Sequence, residues 1–302
     1  MVYDPTDPAN PYPNNPPIIA NFYNLVSWKN KRDGAIAEKV GAVQWHNFKV
    51  ADNLEAGMEI SSLTGELIEG YCKIVGGLVV GRSDNTEEAL DSAHAPVGVK
   101  NPRTENFTVE GVKFYNFNWN GAAGMGTCSH CWHDNNTDSG ARTITVSDLF
   151  FDETVQQRVF YTVPWRTIFL DKTGGLTGLG PNTWFLAHWK HLLQPECQET
   201  IGGIICDDTV QVRRVAFWGL PNNFYGMRLK IAKIDNSIVN PMSDEEYDAY
   251  LEDQSNYSVV PFKDKKDPTG WAMPFVTGKK YRLHWESGLD FDTMKVMVSE
   301  RW

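Results

Sequence analysis

Residues 42–61, AVQWHNFKVADNLEAGMEIS, alternate apolar and polar side chains, pass Asn53 and a Gly-containing turn, and then alternate again. A period of two marks a strand with one face buried. Asn47 falls where the alternation calls for an apolar side chain, and a buried amide is costly unless it is hydrogen-bonded. The pattern recurs. FYNLVSWKN (22–30) overlays WHNFKVADN (45–53), with Phe22 over Trp45, Asn24 over Asn47, Leu25 over Phe48 and Asn30 over Asn53, an offset of 23. A further step of 23 reaches Ile68 in LIEGYCKIVGG (67–77), a looser copy. VEGVKFYNF (109–117), VSDLFFDET (146–154) and VRRVAFWGL (212–220) follow, and Val146 to Val212 spans 66 residues, or three turns of 22.

Short strands stepping by 22–23 residues between Gly/Asn/Asp turns predict a solenoid that stacks matching side chains. The step fits an all-β, right-handed parallel β-helix with three short strands per coil. Leucine-rich repeats share the length but not the leucine and asparagine spacing. A β-sandwich also uses regular short strands, yet it does not predict superposition at a constant offset. At coil corners, stacked asparagines form hydrogen-bonded ladders, which makes Asn24 with Asn47, and Asn30 with Asn53, candidate rungs. The pattern divides the chain into a Pro-rich extended segment (1–20), a parallel β-helix (21–220) and a C-terminal part (221–302). Residues 118–143 read as a loop insertion leaving the solenoid. The C-terminal part reads as irregular, with a short helix at SDEEYDAYLEDQ (243–254), where Ser243 and Glu246 are spaced as a capping box. It ends in a small β-unit that caps the solenoid.

Composition narrows the function classes. The 302 residues are 41% hydrophobic and 12% aromatic, as in a globular chain. Net charge is −10 with pI ≈ 5.2, and the longest basic clusters are KNKR (29–32) and KDKK (263–266), which argues against nucleic acid as a partner. No apolar run approaches the roughly 20 residues of a membrane span, so none is expected in this chain. The first residues lack the basic and apolar regions of a signal peptide.

Five cysteines occur: Cys72, Cys128, Cys131, Cys197 and Cys206. CSHCWH (128–133), with His130 and His133, is too cramped for a structural zinc site, which draws on separated ligand pairs. A loop disulfide is expected instead, Cys128 to Cys131 or either to another cysteine. Cys197 and Cys206 are spaced to close a short loop, and Cys72 reads as buried and unpaired. Sequons at Asn106, Asn135 and Asn256 are candidate N-glycosylation sites. With the clustered cysteines they point to an oxidising, extracellular setting.

For catalysis the available pieces are Asp148, Asp152, Asp171, Asp207, Asp208, Arg213 and Arg214, and the pattern fixes no stacked pair among them. Asp148 lies at the corner equivalent to Asn47, which suits a turn. His188 and His191 in AHWKH stand three apart, a spacing that does not bring side chains together on a strand. The acidic run 244–253 lacks the alternating ligands and glycine of a calcium loop. No catalytic residue, metal site or cofactor is expected. Eleven Trp and eleven Tyr are present. In the densest aromatic stretch, FYNFNWNG (114–121), Tyr115 and Trp119 are candidate glycan or protein contacts, against the alternative that such rings seal the solenoid ends.

VSWKNKRDGAIAEKVGAVQWHNFKVADNLEAGMEIS (26–61) resembles a stretch of the fibrocystin and fibrocystin-L family. There a tryptophan-containing strand leads to a Gly-Ala pair and then an HNF…NN-EAG-E run. GTCSHC (126–131) is similar to their cysteine-bearing loop and FLDKTGGLTGLGP (169–181) to their D-x-D-G-SLTG segment. CDDTVQVRRVAFWGL (206–220) and SVVPFKDKKDPTGWAMPFVTGKKYRLHW (258–285) follow in the same order. The chain departs from the family at Asp171-Lys172-Thr173, where the family commonly has Asp-x-Asp, and it lacks the immunoglobulin-like repeats, G8 domains and membrane span of the full architecture. The resemblance implies a parallel β-helix in the ectodomain of a large cell-surface protein associated with primary cilia or stereociliary coats. The expected function is a non-enzymatic structural or adhesive module, its partners other cell-surface or extracellular proteins. Two alternatives stand beside it. One is a glycan-binding or polysaccharide-cleaving β-helix, since relatives sharing the β-helix include a cell-surface hyaluronidase and a secreted hyaluronan-binding protein. The other is a self-associating subunit of a surface filament or coat.

Overall fold

The computed structural model describes residues 19–38, 42–61, 72–83, 97–102, 107–119, 121–127, 143–160, 168–186, 192–218, 228–234, 257–261, 271–285 and 295–299. Almost all the regular structure among them is strand. In chain order the first part holds β1 (Ala20–Tyr23), β2 (Val26–Trp28), β3 (Asp33–Glu38), β4 (Val43–Ala51), β5 (Ala56–Ser61), β6 (Cys72–Val80), β7 (Val97–Asn101), β8 (Phe107–Tyr115) and β9 (Ala123–Thr127). Then come β10 (Thr143–Ser147), β11 (Phe150–Phe151), β12 (Val159–Phe160), β13 (Ile168–Asp171), β14 (Thr183–Leu186), β15 (Cys197–Thr200) and β16 (Gly203–Cys206).

These strands build two sheets. The larger runs β1-β4-β6-β8-β10-β13-β14-β16-β15, with β2 also on β4 and β11 also on β8; the smaller runs β12-β9-β7-β5-β3. The chain alternates between them, and every pairing is parallel as far as β13. Matching side chains therefore lie in columns. Phe22 pairs with Trp45, Trp45 with Ile74, Ile74 with Val109, and Val109 with Val146.

The steps along this column are 23, 29, 35 and 37 residues, so the constant step of 22–23 holds only for the first turn. The added residues separate the described strands along the chain, while the register inside those strands persists. Ile68, the expected match for Trp45, lies outside the described residues.

Asn47 does not sit on an apolar face. It is exposed at a bend with φ 55°, in the left-handed region that Asn enters more easily than most residues. The bend shifts the alternation by one, so Val43 and Trp45 are buried before it and Phe48 and Val50 after it. The equivalent positions of neighbouring strands repeat the device: Asn24 has φ 57°, Gly76 66°, Gly111 67° and Asp148 50°. One left-handed corner column thus bends each long strand of the larger sheet.

Glycines bring the two sheets together. Gly34, Gly57, Gly98 and Gly124 occupy successive matching positions in β3, β5, β7 and β9. A Cβ on Gly57 would stand 2.8 Å from Val50 Cγ2, on Gly98 3.0 Å from Val79 Cγ1, and on Gly124 2.7 Å from Phe151 Cε1. The core between the sheets holds Trp45, Phe48, Met58, Phe107, Phe114, Phe117 and Met125, all at most 5% exposed.

Parallel pairing stops well before residue 220. β13 pairs antiparallel with β14, and β14 and β15 pair antiparallel with β16. The reversal is made by the loop 172–182, where Gly174, Gly178 and Gly180 have φ 88°, 79° and 105°. Among the described residues, Val212 therefore pairs with none of the earlier parallel strands. It opens β17 (Val212–Trp218), which pairs antiparallel with β20 (Trp271–Val276) and β22 (Lys295–Ser299). β18 (Arg228–Ile234) likewise pairs with β19 (Tyr257–Pro261) and β21 (Lys280–Trp285), giving two three-stranded antiparallel sheets in the C-terminal part. The expected helix 243–254 lies outside the described residues.

Candidate functional site

The bend at the corner column leaves the second halves of β4, β6 and β8, with β2 and β11, as one short-strand face. Its inward column includes Val50, Val79 and Phe114, all buried. Alternation then turns two columns outward. One is Val26, Lys49, Leu78, Lys113 and Phe150; the other is Trp28, Ala51, Val80 and Tyr115. A solvated sheet face is ordinarily polar. Here seven of nine outward positions are apolar and the remaining two are lysines. Val26, Trp28 and Phe150 are 57%, 61% and 46% exposed, and both lysines are exposed. Five strands at about 4.8 Å make a surface about 20 Å across, with the two lysines about 10 Å apart. Such a face can stack flat rings and attract anionic groups.

The aromatic candidates separate on this face. Tyr115 lies on it, 5.7 Å from the Phe150 ring. Trp119 is packed inward, stacked on Phe117 at 6.0 Å and covered by the Arg82 guanidinium at 4.0 Å. Trp28 and Phe150 carry no such signal in the sequence, although they stand four residues after the corner at Asn24 and two after the corner at Asp148.

The carboxylates are dispersed. Asp171 is fully buried and organises the reversing loop: it accepts from the N–H groups of Gly174 (2.9 Å), Leu176 (2.8 Å) and Thr177 (2.8 Å) and from the Thr177 hydroxyl (3.2 Å). Thr173 accepts the Asp148 N–H through Oγ1 at 2.7 Å. Asp152 accepts from the Thr154 hydroxyl (2.7 Å) and N–H (3.1 Å), bonds that hold its carboxyl below the usual range. Asp207 accepts the Thr209 N–H at 2.9 Å in a turn. Asp52 accepts from Ser83 N–H (2.6 Å) and Oγ (2.7 Å). Asp152, Asp171 and Asp207 each hold their own turn or loop, and Asp52 holds the turn after the neighbouring strand.

One ionic group lies on the smaller sheet. Lys100 Nζ stands 3.1 Å from Glu59 Oε2 and 4.0 Å from Asp33 Oδ1. Burial pushes the Asp33 carboxyl up to about 6, with Glu59 and Glu55 raising it further and Lys100 and Arg32 opposing. Among the described residues no group of three or more His, Cys, Asp or Glu could hold a metal ion.

Of the asparagine pairs, Asn30 Nδ2 donates to Asn53 Oδ1 at 2.8 Å, and the Asn30 N–H to the same oxygen at 3.2 Å. Asn24 donates its backbone N–H to the His46 carbonyl at 2.8 Å, one residue before Asn47. Cys197 and Cys206 form a disulfide between facing positions of β15 and β16. Cys72 is buried and free, and burial pushes its thiol up to about 12. Cys128, Cys131, His130, His133, His188, His191 and the sequons at Asn106, Asn135 and Asn256 lie outside the described residues. No helix among the described residues is long and apolar enough to cross a membrane.

No family model matches the chain. It is 28% identical to human fibrocystin-L over 294 residues, covering 92% of this chain, and 26% identical to mouse fibrocystin-L over 268 residues, covering 84%. The chain spans about 6% of the length of these curated relatives. Over most of its length, the chain is similar to one short stretch of fibrocystin-L.

Proposed function

We propose that this chain is a right-handed parallel β-helix module of a fibrocystin-like protein, a structural or adhesive unit of an extracellular or ciliary surface coat rather than an enzyme. The observation that carries the reading is the in-register column Phe22–Trp45–Ile74–Val109–Val146, repeated while the chain alternates between two parallel sheets. The Cys197–Cys206 disulfide supports an oxidising compartment, and the similarity to fibrocystin-L supports the kind of protein. The use of Asp52, Asp152, Asp171 and Asp207 to hold turns and loops supports a scaffold. Incubating the protein with a panel of extracellular polysaccharides and sizing the products tests it: unchanged polymers are expected, and any chain shortening overturns the non-enzymatic part.

A second reading, glycan binding, is favoured by the outward face of Trp28, Tyr115 and Phe150 with Lys49 and Lys113. Rings stack on sugar faces, and lysines pair with acidic groups. Retention of an acidic polysaccharide that falls with salt and is lost in Lys49→Glu/Lys113→Glu supports it; retention unaffected by that variant removes it.

A further inference from the structure

On the outward face, one column of matching positions alternates in kind from strand to strand. Lys49 on β4 pairs in register with Leu78 on β6, Leu78 with Lys113 on β8, and Lys113 with Phe150 on β11. The cations therefore recur on every second strand, about 10 Å apart, with a half-buried leucine between them. The neighbouring column supplies a low apolar floor, Ala51 and Val80, and then Tyr115, whose ring lies 5.7 Å from that of Phe150. β4, β6 and β8 are each paired on both sides along this face, so the alternation is independent of the first coil.

Two features narrow what such a face can recognise. The backbone groups of β4, β6 and β8 are committed to their neighbours on both sides, so a peptide cannot add a strand here and recognition falls to side chains. An extended peptide also repeats its side chains on one face every ~7 Å, out of step with the lysines. A polysaccharide laid across the strands fits better. One sugar of an extended chain advances about as far as one strand spacing, so every second sugar meets a lysine. Carboxylates on those sugars would pair with Lys49 and Lys113, while sugar faces stack on Tyr115 and Phe150. The carboxylates at the far ends of the strands are engaged elsewhere, Asp52 by Ser83 and Asp152 by Thr154.

Resting on the glycan-binding reading above, we infer that the column Lys49–Leu78–Lys113 selects a polysaccharide with one carboxylate on every second sugar, bound across the strands. Unselective attraction predicts the opposite order, because a polymer acidic at every sugar presents the denser charge. Titration calorimetry of the intact chain with equal-length oligosaccharides tests it, using unsulfated chondroitin, acidic at alternate sugars, and polygalacturonate, acidic at each. Tighter binding of the chondroitin, by about fivefold or more, is expected. Leu78→Lys closes the gap in the column with a cation and is expected to reverse the order. Equal or tighter binding of polygalacturonate by the wild type overturns the inference and leaves glycan binding standing. Binding of neither oligosaccharide removes both. An unchanged order in a Leu78→Lys protein that melts like the wild type also overturns it, because selection then lies outside the column. The wild-type comparison decides the matter even if that variant does not fold.

Discussion

The ring of Phe48 lies over Gly77, its register partner in the next strand, so closely that a Cβ on Gly77 would overlap the ring edge. The aromatic and the glycine fill one slot between them. Gly77 also has φ 155°, which side-chain-bearing residues seldom adopt. Gly77→Ala is expected to destabilise the protein by about 2–3 kcal/mol, measured by denaturant unfolding. Phe48→Leu in the same background should recover part of the loss; no recovery would mean that backbone strain, not ring contact, sets the cost.

The corner at Asn47 predicts an unusual tolerance series. Asn47→Gly should be close to neutral, since glycine already occupies the same corner at Gly76 and Gly111. Asn47→Val should cost about 1–2 kcal/mol, because a β-branched residue resists the left-handed conformation. Equal stabilities of the two variants would remove the conformational account.

Asp171→Asn is expected to loosen the reversing loop. The substitution removes the charge from an acceptor of four backbone N–H groups and a hydroxyl and leaves an amide donor facing donors. A loss of about 2–4 kcal/mol follows. Amide exchange should accelerate across 172–182 before it does so in β4–β8; uniform acceleration would argue against a local role.

Asp33 gives a pH dependence whose sign is opposite to that of most carboxylates. Its folded-state value, about 6, lies above the ordinary 3.8, so the folded protein holds the proton more tightly than the unfolded chain does. The stability this confers is fully present below pH 3.8 and is lost as the pH rises through about 6. Asp33→Asn should therefore be the more stable protein near pH 7, by on the order of 1 kcal/mol after allowance for solvent and the nearby Lys100, and indistinguishable near pH 4. Melting curves across that range decide it, and a difference that grows on acidification would refute the assignment.

Reducing the Cys197–Cys206 bridge should lower stability by roughly 2–3 kcal/mol through the freedom returned to the unfolded chain. The Cys197→Ser/Cys206→Ser double variant should melt at the temperature of the reduced wild type and be insensitive to reductant.

The sequence carried the first register, Phe22 on Trp45, because the two segments overlay residue for residue at the offset of 23 that their strands pair with. It carried the place of the corner at Asp148 through the local strand–corner–strand pattern of VSDLFFDET rather than through a fixed offset. It misjudged Asn47 because a bend and a continued strand share one alternation until the phase slips, and the slip shows only in the burial of Phe48 and Val50. Later steps were hidden by extra residues between strands, which shift a fixed offset without disturbing any pairing. The inter-sheet glycines had a readable trace in EAGM (55–58) and AAGM (122–125), but a glycine required by close approach looks like any turn glycine until its neighbour across the sheet is known. Asp171 was counted with the carboxylates available for chemistry; its burial beneath the backbone amides of its own loop follows from a chain reversal that periodicity does not encode. On the outward face, Tyr115 stood out by aromatic density, whereas Trp28 and Phe150 join it only through stacking.

The corner column has a wider consequence. Because each long strand of the larger sheet re-establishes its own phase at a left-handed residue, adding residues between two strands passes no error on to the next. Decoration of the exterior and integrity of the interior are thus separately heritable: loops can diversify in length and chemistry while the packed columns beneath them stay as they are.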